Sequence, residues 1–104
     1  MELIKDIPAK QLVEGITGYY RHGETMTLGL VEIKAGTSLP AHNHVHEQIT
    51  YVISGELEMK IGEETVLLTP GAVQVIPSNV VHSAIAKSEC QLIDVFNPTR
   101  DDYR

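Results

Sequence analysis

Three of the chain's five histidines, His42, His44 and His46, fall within one five-residue stretch, and Glu47 and Gln48 follow directly. Imidazole is a common ligand for zinc, copper, iron and nickel. In an extended chain successive side chains alternate between faces, so His42 and His44 point the same way and can share one ion. A turn after His44 would bring Gln48 back from the next strand, and His82 would close the site from further along. His42, His44, Gln48 and His82 are therefore the candidate ligands of a divalent first-row transition metal such as nickel, zinc, manganese or iron. The alternative is a set of surface histidines on a polar loop. The strand-like runs on both sides of the stretch favour the metal site. His46 has ligand parity but falls in the turn, so it reads as a pocket-rim or solvent-facing residue. His22 also falls in a turn and is expected to be exposed.

Composition limits the partners. The chain has 104 residues, a formal charge of −6 and no basic run. That argues against nucleic acid or an anionic membrane as a partner. An anionic substrate must then be attracted locally, by a metal or an arginine. The N-terminal MELIKDIPAK lacks the apolar core of a signal peptide, and no run approaches membrane-spanning length, so the expectation is a soluble cytoplasmic protein. Cys90 is alone and offers no partner for an internal disulfide. A chain this long reads as one domain over residues 1–104, burying roughly 60–70% of its unfolded surface.

The elements that would position these residues read as strands almost throughout. Ile16–Arg21 and Thr25–Lys34 are joined by a turn at His22-Gly23-Glu24, and Gly36 opens a loop leading to the histidines. In Gln48–Ser54, Ile49, Tyr51 and Ile53 alternate with Thr50 and Val52; in the next run Leu57, Met59 and Ile61 alternate with charged residues. Thr65–Thr69, Val73–Ile76, His82–Ala86 and Gln91–Phe96 complete the set, with Pro70-Gly71 suited to a type II turn. Residues 1–15 contribute a short strand or arm. No segment has helical periodicity. Many short strands at regular spacing predict an all-β sandwich or small barrel.

Two spaced patterns carry a resemblance. Gly36, five residues, His42, one residue, His44, three residues, Gln48, six residues, Gly55 resembles the first cupin motif. Gly71, five residues, Pro77, one residue, Asn79, two residues, His82 resembles the second. The resemblance implies a small double-stranded β-barrel of the jelly-roll type, a fold that hosts many activities. Three positions depart from the pattern: Gln48 replaces a usual Glu, Asn79 a usual Gly, and Ala86 the closing Asn. Glu47 would need a one-residue slip to substitute for Gln48 and should face away. A neutral ligand set leaves the full charge on the ion, which favours Lewis-acid chemistry over the two-His-one-carboxylate iron pattern.

The C-terminal Asp94-Val95-Phe96-Asn97-Pro98-Thr99-Arg100-Asp101-Asp102-Tyr103, with HNHVHEQITYVISG, resembles the pectin-degradation cupins of the KdgF family. The resemblance implies opening of 4,5-unsaturated monouronates to linear keto sugars. It also implies a His/His/Gln/His metal centre and catalytic roles for residues matching Asp94, Phe96 and Arg100. Asp94 lies in an apolar run, and an acid buried there needs a partner or a task. Beside a metal it would give and take protons; otherwise it bonds nearby backbone or Arg100. Arg100 would grip a substrate carboxylate in bidentate fashion, or else pair, exposed, with Asp101 or Asp102. Phe96 would wall the pocket or simply pack. Tyr51 and Gln74 line the pocket or pack equally well. Cys90 has no adjacent base and is not a catalytic thiol. Tyr19, Tyr20, Ile93 and Val95 are candidates for a homodimer contact, because a strand apolar on both faces needs a second covering surface. A non-catalytic metal-cupin binding a small sugar or anion, and a cupin dioxygenase, are the other readings.

Overall fold

A computed structural model describes residues 1–104. Ten strands carry most of the chain: β1 (Lys10–Val13), β2 (Ile16–His22), β3 (Thr27–Ile33), β4 (Ser38–His42), β5 (Glu47–Ser54), β6 (Leu57–Ile61), β7 (Glu64–Leu68), β8 (Val73–Ile76), β9 (His82–Ala86) and β10 (Cys90–Asn97). Single 3-10 turns lie at Ile4–Asp6 and Asp101–Tyr103. All pairings are antiparallel. A six-stranded sheet runs β1-β2-β3-β10-β5-β8, and a four-stranded sheet runs β4-β9-β6-β7. This is the all-β barrel expected from the strand spacing.

Alternation along the strands builds the interior. On β10, Cys90, Leu92, Asp94 and Phe96 point inward; on β5, Gln48, Thr50 and Val52 do. Leu57, Met59, Ala84 and Ala86 face them from the other sheet. Each fully buried aliphatic side chain contributes about 1.5–3 kcal/mol. Gly55 carries the chain from β5 to β6 with φ of 84°, where a side chain would collide with the backbone of Glu89 and Cys90. Glycine alone takes that conformation at no steric cost.

Several elements depart from the sequence reading. Ser38–His42 is a strand rather than loop. Pro40 obscures it, but β4 is an edge strand, where a missing N–H breaks no ladder bond. His22 ends β2 instead of sitting in a turn, half-buried, with Nδ1 2.8 Å from Thr27 Oγ1. Tyr20 is not on a dimer surface: it is 5% exposed, inside the barrel, its ring 4.8 Å from that of Tyr103. Gly18 on β2 and Gly29, the direct cross-strand partner of Tyr20 on β3, leave the room that the ring fills.

The outer face of the six-stranded sheet is apolar as well. Two cross-strand rows cover it, Val75-Ile49-Val95-Leu28 and Val73-Tyr51-Ile93-Leu30. Val73, Val75 and Tyr51 are 63%, 48% and 44% exposed.

Because a β-carbon at Gly29 would overlap the Tyr20 ring, Gly29→Ala is expected to cost about 1–3 kcal/mol through overpacking. Urea denaturation of the purified variant checks this.

Candidate metal centre

The two sheets meet at one end of the barrel, and the histidines gather there. His42 ends β4 and His82 begins β9; the two are direct cross-strand partners. His44 sits in the loop that crosses from β4 to β5. The second motif holds that loop in place: Asn79 N–H donates to His44 O at 2.8 Å and Ser78 Oγ to Val45 O at 2.5 Å. Asn79 bends back to do so with φ of 66°, a left-handed conformation that asparagine tolerates. As a result, one ring nitrogen from each of His42, His44 and His82 lies within 4.8 Å of the others.

The hydrogen bonds decide which nitrogen that is. Nδ1 of His42 is 2.9 Å from Pro40 O, Nδ1 of His44 2.9 Å from His46 O, and Nδ1 of His82 2.9 Å from Val80 O. A carbonyl only accepts, so each Nδ1 carries the proton and each Nε2 keeps a lone pair. His82 Nε2 is buried with no partner at all. His44 Nε2 lies 3.2 Å from Gln48 Oε1, two lone pairs facing each other. Burial, the largest influence, holds His44 and His82 below the usual imidazole range and so keeps them neutral, as ligation requires. An orphaned buried nitrogen and opposed lone pairs are what a shared cation relieves. The donors fit a divalent metal ion.

Gln48, 7% exposed, is held from behind. Its Nε2 donates to Thr50 Oγ1 at 2.9 Å and to Asp94 Oδ1 at 3.2 Å, and Thr50 Oγ1 donates to the same Oδ1 at 2.7 Å. Thr50 and Asp94 are register partners on β5 and β10. Asp94 is thus bonded to side chains rather than to backbone or Arg100. Burial pushes its carboxyl up to about 6, against the opposing hydrogen bonds and the Arg100 charge. Both bonds fall on Oδ1, leaving Oδ2 to the pocket.

The chain beyond β10 roofs the site. Arg100 N–H donates to Thr27 Oγ1 at 2.9 Å, fixing the segment against β3. The guanidinium is buried, 4.7 Å from the Phe96 ring centre and 3.9 Å from that of Tyr103. Its Nε and Nη2 bond Asp102 Oδ1 and Oδ2 at 3.1 and 2.9 Å. Arg100 therefore combines the two readings: it pairs with Asp102, yet it is not exposed. Its bidentate edge is already engaged. His46, half-buried, places Nε2 3.2 Å from Thr99 O and so tethers the same segment.

A cavity of about 220 Å³ lies beneath this roof. His82, Gln48, Thr50, Asp94 and Arg100 supply its polar wall; Leu57, Met59, Ile16 and others supply an apolar one. Phe96 lines it as well. Tyr51 and Gln74 do not, since Tyr51 faces outward and Gln74 bonds the Val75 carbonyl. Cys90 is buried and its thiol is pushed up by burial, consistent with an inert core residue. Thr50, Thr27, Tyr20 and Tyr103 are site residues that residue type does not announce. Thr50 shares strand parity with Gln48, which is the signal that would have found it.

The Cupin domain family matches residues 29–96. The chain belongs to the cupin family. This cupin is 32% identical to the pectin degradation protein KdgF of Dickeya dadantii over 71 residues, 67% of this chain and 64% of that protein. The structure of KdgF from a Halomonas species superposes with a TM-score of 0.90 at 28% identity, covering 98% of this chain and 96% of that one. An RmlC-like cupin of Shewanella frigidimarina superposes with a TM-score of 0.92 at 23% identity, over 99% and 94% of the two chains, a likeness of fold.

Replacing one imidazole leaves too few converging donors. His82→Ala is expected to lower metal affinity by more than the roughly 10–100-fold typical of losing an outer hydrogen-bond partner. Metal content after equilibrium dialysis, read by mass spectrometry, checks it.

Proposed function

We propose that this cupin is a metal-dependent enzyme that opens the ring of 4,5-unsaturated monouronates from pectin or alginate breakdown, giving linear keto sugars. One observation carries the reading: His82 and Gln48, two of the candidate metal donors, share one small cavity with a buried carboxyl and a guanidinium, and His82 belongs to the three-histidine cluster. The likeness to the two KdgF proteins supports it.

The reaction is an isomerisation without a redox step. A proton leaves the anomeric hydroxyl, the bond between the anomeric carbon and the ring oxygen breaks to leave an aldehyde and an enolate, and a proton is added at C4, so the atoms balance. A divalent ion on His42, His44, His82 and Gln48 would supply Lewis-acid polarisation of a substrate oxygen. Asp94 Oδ2 would hold and move the proton, a role supported by Oδ1 being fixed by Thr50 and Gln48. Arg100 would meet the substrate carboxylate through N–H groups other than those bonded to Asp102. The Phe96 and Tyr103 rings, edge to face with each other, both pack against the guanidinium. Nickel, zinc, manganese and iron all remain suited to the donors.

Asp94→Asn is expected to lower turnover about 10²–10⁴-fold while metal content stays near that of the wild type. The loss of ultraviolet absorbance of freshly made unsaturated monouronate reads the rate. A metal-loaded wild type that does not exceed the spontaneous rate would remove this assignment and favour a non-catalytic cupin that binds a sugar or anion. Activity that survives without oxygen excludes a dioxygenase.

The partly exposed apolar rows on the six-stranded sheet support a homodimer through that face, Ile93 and Val95 at its centre. Light scattering at micromolar concentration should report a dimer, and Tyr51→Lys a monomer. A monomeric wild type would refute the dimer.

A further inference from the structure

Thr50 has no titratable group and ligates nothing, yet it is 1% exposed and stands between two groups that face the metal centre. It follows Gln48 on the inward face of β5 and lies directly across from Asp94 on β10. A hydroxyl has one proton and two lone pairs. The 2.7 Å bond to Asp94 Oδ1 uses the proton. Only lone pairs remain for Gln48, 2.9 Å away, and only the NH₂ end of the amide can satisfy them. Turned over, the amide would set Oε1 against Thr50 Oγ1 and Asp94 Oδ1 with no proton between them. In a buried site such unpaired acceptors are costly. The observed orientation instead leaves Oε1 on the histidine side, 3.2 Å from His44 Nε2.

We propose that Thr50 is a positioning residue for the metal centre: its hydroxyl commits the Gln48 amide to present oxygen, not NH₂, to the three histidines. The inference rests on the metal-binding reading above. It also accounts for a requirement peculiar to glutamine. A carboxylate offers oxygen whichever way it turns, whereas a reversed amide offers only N–H donors, which cannot ligate a cation. With glutamine at this ligand position, orientation is a freedom that something must remove: Asp94 Oδ1 accepts from Gln48 Nε2 at 3.2 Å, and Thr50, which makes the shorter bond to the amide at 2.9 Å and bonds the same Oδ1, ties the two together.

The test compares Thr50→Val, which keeps shape and loses the hydroxyl, with Thr50→Ser, which keeps the hydroxyl. Each metal-free protein is first melted under circular dichroism to establish its fold. Each is then loaded with Co(II), its affinity measured by chelator competition and its visible spectrum recorded. Thr50→Val is expected to bind Co(II) about 10–100-fold more weakly with shifted visible bands, while Thr50→Ser stays near wild type on both readouts. A folded Thr50→Val with wild-type affinity and spectrum overturns the proposal, as does a serine variant that loses as much as the valine one. If Thr50→Val does not fold, Thr50→Ala takes its place: weaker binding than serine supports the role, equal binding refutes it. A wild type that fails to bind Co(II) overturns the metal reading and this inference together, whereas a binding wild type with an indifferent Thr50→Val overturns this inference alone.

Discussion

Three imidazole lone pairs turned toward one point are the constraint on which the rest of the site depends. A buried polar atom left without a partner costs about 1–3 kcal/mol, and His82 Nε2 is such an atom. The orientation is imposed by three backbone carbonyls, of Pro40, His46 and Val80, each two residues from the histidine that it holds. Those carbonyls are in turn placed by the strand end of β4, the crossing loop and the turn before β9. The loop geometry of both motifs therefore acts through the tautomer: it leaves each ring only one nitrogen with which to ligate.

Gln48 extends the same logic to a fourth group. A primary amide is an acceptor at one end and a donor at the other. Here the donor end serves Asp94 and Thr50 while the acceptor end faces the histidines. A glutamate at this position would set a second carboxylate beside Asp94 Oδ1, and one of the pair would hold a proton. The amide avoids that repulsion. It also leaves the charge of a bound ion undiminished, in a protein whose overall charge is −6. With an ion bound, that end of an otherwise acidic barrel would be the region able to draw anions.

Much of this was legible in the sequence, and the misses have physical causes. The strand run Gln91–Phe96 and the apolar setting of Asp94 within it were readable, and motif spacing brought His82 to the histidine stretch. β4 was hidden by Pro40, because a sequence does not say which strands will be edges. Tyr20 looked like a surface aromatic because the space it fills is made by Gly18 and Gly29, one of them on the neighbouring strand. Arg100 owes its burial to Phe96 and Tyr103, contacts set by how the chain folds back after β10. An isolated threonine on a strand carries no chemical signal, and Thr50 stands out only in the company of its two neighbours, Gln48 and Asp94.

The candidate ligands are divided between the layers of the barrel. His42 and His82 belong to the four-stranded sheet, Gln48 to the six-stranded one, and His44 to the bridge between them. An ion held by all four would act as a rivet through the seam, loaded in tension whenever the layers part. The barrel's resistance to opening would then be a property of its surroundings as much as of its sequence. It would stiffen with the logarithm of free metal, by about 4 kcal/mol at a thousandfold excess over Kd, and slacken wherever that metal is scarce.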